Sequence, residues 1–69
     1  MTAAQHELPA LATPGQVSEY LGVPVGTLRN WRYRRTGPRF VKVENHVRYR
    51  RADVERYLAA NTTETTGAA

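Results

Sequence analysis

Nine of the ten basic side chains in this 69-residue sequence lie between Arg29 and Arg51, and Glu44 alone opposes them there. The densest stretch, "GTLRNWRYRR" over 26–35, combines four arginines with an asparagine, a tyrosine and the single tryptophan. These residue types suit one chemistry. A planar guanidinium holds phosphates and takes guanine O6 and N7 at two points, and an asparagine amide does the same for adenine N6 and N7. A solvated helix face has a similar composition, so the elements that carry the residues must decide between the two readings.

Set at about 100° intervals, Leu28, Trp31, Arg32 and Arg35 share one side of a helix over 25–35, while Gly26, Arg29, Asn30 and Tyr33 share the other. Thr27 and Arg34 fall at one margin. Leu28 and Trp31 therefore anchor the segment to a core, and Arg32 lays its stem along the core edge with its head outward. Arg29, Asn30, Tyr33 and Arg34 are the candidate face for a nucleic acid, with Thr27 near the helix start as a candidate phosphate contact. Tyr20 and Trp31 have the types needed to stack on single-stranded bases, but their helical spacing assigns them to the core.

The preceding "TPGQVSEYLG" predicts a short helix. Thr13 is its N-cap, Pro14 its first residue, Gln16 the partner in a capping box and Gly22 the stop, and Val17, Tyr20 and Leu21 form one apolar stripe. "GVP" joins this helix to the next by a turn of about three residues, the connection of a helix-turn-helix. "TGP" over 36–38 then breaks the second helix, and "RFVKVENHVRYR" alternates with period two as a hairpin. Its loop is Glu44-Asn45-His46, with Asn45 suited to a positive φ. Arg39, Lys42, Arg48 and Arg50 are the hairpin's candidate DNA contacts, on both faces of the alternation. "RADVERYLAAN" is a third helix with Val54, Tyr57 and Leu58 inward and Asp53 as its cap. Residues 1–10 and 62–69, small, polar and aperiodic, are expected to be flexible ends around a single folded domain over 11–61.

Inventory argues against catalysis. The sequence has no cysteine, and the two histidines, His6 and His46, fall in an end segment and at a turn tip with no matching ligand set, so no metal site is expected. Asp53 and Glu55 point about 200° apart on a helix and make no facing acid/base pair. "GVPVG" lacks the lysine and the spacing of a phosphate-binding P-loop. No cofactor is expected, nor an enzyme. "MTAAQHELPALA" has no basic start and no apolar run of signal-peptide length, and no stretch approaches the roughly 20 apolar residues of a membrane span, so a cytoplasmic place is expected. The formal charge of +4 is concentrated in one segment, and with helix-turn-helix spacing beneath it the basic surface points to nucleic acid.

Residues 11–58 resemble the small helix-turn-helix family that includes phage excisionases, with the winged DNA-binding domain of MerR-type regulators as a relative. The resemblance rests on "LGVPVGTLRNW", "GPRFVKV" and "VRYRRADVERYL" taken in that order. It implies a mainly α fold with a small β-hairpin: a winged helix-turn-helix whose second helix enters the major groove while the wing lies along adjacent backbone or minor groove. Pro24 stands where such proteins often have a serine N-cap, and Glu44-Asn45-His46 replaces a turn that is often basic and glycine-containing. The third helix is followed by residues 62–69 alone, so the coiled coil and effector domain of a MerR-type regulator are not expected.

The function implied is that of a recombination directionality factor in a bacterial, nucleoid-associated setting. Its partners would be double-stranded DNA, an integrase, and further copies of itself bound to neighbouring sites. A small phage or plasmid transcriptional regulator is the alternative on the same fold, and a module docking an acidic protein is the alternative of a different kind.

Overall fold

A computed structural model of the chain describes residues 7–61. Thr13 and Gln16 open helix α1 (Pro14–Leu21) reciprocally: the Thr13 hydroxyl accepts from the Gln16 amide at 3.1 Å, and the Gln16 side-chain oxygen accepts from the Thr13 amide at 2.9 Å. Each satisfies a donor that the first turn would leave orphaned. Gly22 closes the helix at φ 76°, a left-handed conformation in which a Cβ would be strained, and its amide reaches back to the Ser18 carbonyl at 2.8 Å.

Val23 and Pro24 carry the chain into helix α2 (Val25–Tyr33), giving the short turn that the spacing predicts. Pro24 is its N-cap and has no side-chain acceptor to offer, so the Thr27 amide bonds instead to the Pro24 carbonyl at 3.0 Å, beside the ordinary first helical bond from the Leu28 amide at 3.3 Å. The helix stops two residues earlier than the apolar pattern predicts. Arg34 caps it, Arg35 turns left-handed at φ 59°, and the Arg35 and Thr36 amides return to the Arg32 and Trp31 carbonyls. That pair of bonds is a Schellman closure, whose left-handed position glycine usually fills.

Gly37 is the second left-handed residue of this connection, at φ 81°. Any other residue would be strained there, because an added Cβ would come within 2.7 Å of the Trp31 ring. Strand β1 (Leu11–Ala12), which the alternation does not reveal, lies before α1. It pairs antiparallel with β3 (His46–Arg50), and β3 pairs antiparallel with β2 (Val41–Val43), giving the order β1-β3-β2. Helix α3 (Arg51–Ala60) follows β3 directly.

The expected Glu44-Asn45-His46 loop is shorter by one residue. Glu44 and Asn45 form the turn, both at positive φ (51° and 74°), and His46 is already in β3 opposite Val43. Two consecutive positive φ angles are the mark of a type I′ turn, which matches the twist of the strands it joins.

The core consists of Leu8, Ala12, Val17, Leu28, Tyr49 and Val54, with Tyr20, Leu21, Val23, Trp31 and Val47 packed around it. Leu8, which the sequence places in an end segment, is 4% exposed. Its side chain is buried and its carbonyl accepts from Arg51 Nη1 at 3.0 Å, while the Ala10 carbonyl accepts from the Arg51 amide at 2.9 Å, so Leu8 and Ala10 are tied to the start of α3. Residues 1–6, with His6, and the expected tail 62–69 lie outside the described residues. Leu58 is 40% exposed and does not complete the third helix's inward stripe, which Val54 and the half-buried Tyr57 supply. Three helices and a small antiparallel hairpin make this a mainly helical, winged helix-turn-helix fold.

Candidate nucleic-acid interface

Helix α2 is oriented by what it buries. Leu28 is fully buried, and Trp31 and Arg32 are half-buried, so the opposite face is turned to solvent. Trp31 lies 5.8 Å from the Tyr57 ring, which locks α2 against α3. Arg32 is held inward twice: Nη1 donates to the Tyr49 hydroxyl at 2.8 Å, and the guanidinium lies 5.8 Å from the centre of the Phe40 ring. A charge that looks available in the sequence is therefore used to fasten α2 to β3.

Facing away, Thr27, Arg29, Asn30 and Tyr33 line one shallow concavity with Gly26. Tyr33 is 89% exposed, an unusual setting for a large ring with no apolar neighbour to cover it. Donors, an acceptor and an aromatic face are thus gathered on one convex helix, the shape a major groove admits. Arg34 is exposed but lies at the C-cap, past the last helical residue, so it is carried by the end of α2 and not by its helical face.

Register divides the hairpin candidates. Arg48 faces Val41 and shares a sheet face with Arg50, whereas Lys42 faces Val47 and lies on the other. The hairpin's apolar residues divide likewise: Val47 and Tyr49 turn to the core, and Val41 and Val43 stand with Arg48 and His46 on the opposite face.

Hydrogen bonding separates the ten basic side chains further. Arg48 Nη1 donates to the Val47 carbonyl at 2.7 Å, Arg50 Nε to Asp53 Oδ2 at 3.0 Å, and Arg56 stands 3.9 Å from Asp53 Oδ1. With Arg32 and Arg51 these side chains have internal partners. Arg29, Arg34, Arg35, Arg39 and Lys42 have no hydrogen bond or ion pair to any described residue and are exposed. Four of these five are carried by α2 and the connection that follows it.

Asp53 does not cap α3. It is three residues into the helix, 7% exposed, and its carboxylate is taken up by Arg50 and Arg56, while Arg50 occupies the cap position without a side-chain bond to the first-turn backbone. A carboxylate in the first turn still suits the helix dipole. Among the described residues no three His, Cys, Asp or Glu side chains gather as a metal site would require. No described helix is long and apolar enough to cross a membrane. Arg35 is the residue that sequence reasoning assigned inward and the structure turns outward. Helical periodicity gave no signal for it, because the residue is not helical.

Compared with known proteins, residues 13–62 match the family described as "Helix-turn-helix domain". The chain belongs to this family. The matched span runs from the Thr13 cap of α1 through the whole of α3, so it takes in the half-buried anchors and the exposed α2 face together. No curated protein and no solved structure matches the chain. Membership of the helix-turn-helix family supports DNA as the partner, and such domains are typically binding modules without catalytic function.

Proposed function

We propose that this helix-turn-helix protein binds specific sites in double-stranded DNA and acts as an excisionase, bending attachment-site DNA so that an integrase is directed towards excision. The observation that carries the DNA-binding part is the segregation of charge: five basic side chains without a partner among the described residues are exposed on one segment, beside a concavity lined by Thr27, Arg29, Asn30 and Tyr33. The excisionase part is supported by the resemblance of residues 11–58 and by size. A module of this kind buries about 600–1,000 Å² on DNA, which gives modest affinity and calls for several adjacent copies. Copies loaded head to tail on similarly oriented sites form a non-closing array, and such an array bends the duplex it covers.

An excision assay with the integrase encoded nearest to this protein, run with and without it, tests the role. Excision that depends on the protein supports it. Excision at the same rate in both reactions, together with repression of an adjacent promoter, replaces the role with that of a transcriptional regulator on the same fold.

A further inference from the structure

Arg35 occupies a position that the backbone reserves for glycine. It is the left-handed residue of the Schellman closure of α2, at φ 59°, with its amide on the Arg32 carbonyl at 3.2 Å and the Thr36 amide on the Trp31 carbonyl at 2.8 Å. An L-residue is strained there, and an arginine gains nothing locally in return: its side chain makes no hydrogen bond or ion pair with any described residue. The neighbouring Arg32, by contrast, is tied to Tyr49 and Phe40.

Arg35 and Arg39 line a groove between the end of α2 and the start of β2, together with Arg32, Thr36 and Phe40. Among the described residues no acidic side chain lines it. With Arg32 turned inward, its two free charges are those of Arg35 and Arg39. The connection holding them is rigid for a definite reason: Gly37 is pressed against Trp31 and Pro38 is buried, which fixes the path from one arginine to the other.

We propose that Arg35 and Arg39 form a second site, separate from the α2 face, that grips a backbone phosphodiester of the duplex. This rests on the DNA-binding reading above. The groove is open and shallow, which suits a phosphate carried on a long polymer better than an enclosed small molecule. It adjoins the C-terminal end of α2, so a duplex whose major groove receives α2 brings a phosphate strand past it. The site positions the protein on DNA and reads no base.

Substitutions at Arg35 separate this role from a structural one, because glycine relieves the backbone while removing the charge. Labelled duplex carrying the protein's natural site is titrated by fluorescence anisotropy between 50 and 200 mM salt, with R35G, R35N, R35K and R39A beside the wild type. The site predicts that R35G melts at or above the wild-type temperature yet binds more weakly. Its slope of log K against log salt becomes shallower by about 0.9, so the wild type's advantage shrinks about 3.5-fold across that range. R35N and R39A behave likewise in binding, and R35K restores the wild-type slope. Wild-type affinity and slope in both R35G and R35N overturn the site while leaving the α2 face in place. An R35G melting temperature below that of the wild type overturns the conformational argument. Absence of salt-dependent duplex binding by the wild type removes the DNA-binding reading and this site with it.

Discussion

Arg32 Nη1 donates to the hydroxyl of Tyr49 at 2.8 Å, and that bond ties the helix that presents the candidate DNA face to the central strand of the sheet. Tyr49 is 1% exposed and Arg32 half-buried, so the bond lies where water competes poorly.

Tyr49→Phe therefore tests a structural role for Arg32. Removing the hydroxyl leaves the ring in the core and the guanidinium short of an acceptor, which costs about 1 kcal/mol, or about 4–8 °C in a domain of this size. Thermal melts monitored by circular dichroism check this. Duplex affinity, measured well below the melting temperature, stays within about twofold of wild type, because on this account Arg32 does not touch DNA.

Gly37→Ala is expected to be more damaging than a surface methyl normally is. The new Cβ would be 2.7 Å from Trp31 Cε3 and 3.0 Å from Trp31 Cβ, and φ is 81°. The tryptophan cannot withdraw, since Tyr57 packs on it from α3. A loss of about 1–3 kcal/mol follows, read as a lower urea midpoint with an unchanged slope.

Arg50 and Lys42 are both basic residues of the hairpin, and the structure predicts opposite behaviour on truncation. Arg50→Ala takes the nearer partner from the buried Asp53 carboxylate and lowers stability by about 1 kcal/mol. Lys42→Ala removes an exposed charge with no partner among the described residues and leaves stability within about 0.5 kcal/mol of wild type. Parallel urea denaturations compare the two, and equal losses would mean that the Arg50–Asp53 pair does not support the fold.

The wing turn is open to improvement. Glu44 and Asn45 both adopt positive φ, a conformation for which Asn-Gly is the favoured pair. The double change Glu44→Asn and Asn45→Gly should raise stability by about 0.5 kcal/mol or more and, by removing a negative charge from the basic segment, strengthen non-specific DNA binding. Denaturation and competition with unrelated duplex measure the two effects separately.

The first helix was legible because its signals are local: Thr13 and Gln16 cap each other, Gly22 permits the stop, and the stripe needs no partner to be seen. The inward phase of Leu28 and Trp31 was legible for a similar reason, and it carried the opposite placement of Arg29, Asn30 and Tyr33. What the sequence concealed depends on distant contacts. Leu8 is an isolated apolar residue until Arg51 takes its carbonyl, and the two residues of β1 become a strand only through β3. Arg35 was hidden for another reason. An arginine carries no hint of a left-handed conformation, so the helical pattern continues α2 two residues too far and sets Arg35 on the wrong side. The separation of free from occupied arginines was likewise beyond composition, since Arg48 and Arg50 differ from Arg29 only in what lies beside them once folded.

The central claim is that the exposed side of α2 meets duplex DNA. Its most direct test is the Arg29→Ala, Arg34→Ala double variant, titrated against the wild type's own site across a range of salt with its melting temperature recorded alongside. Both side chains are exposed and have no partner among the described residues, so the melting temperature should be unchanged. Affinity for the site should fall to the level of unrelated duplex, and the salt slope should flatten by up to about 1.8 if both arginines neutralise phosphates. A folded double variant that binds its site with wild-type affinity would contradict the account and move recognition away from α2.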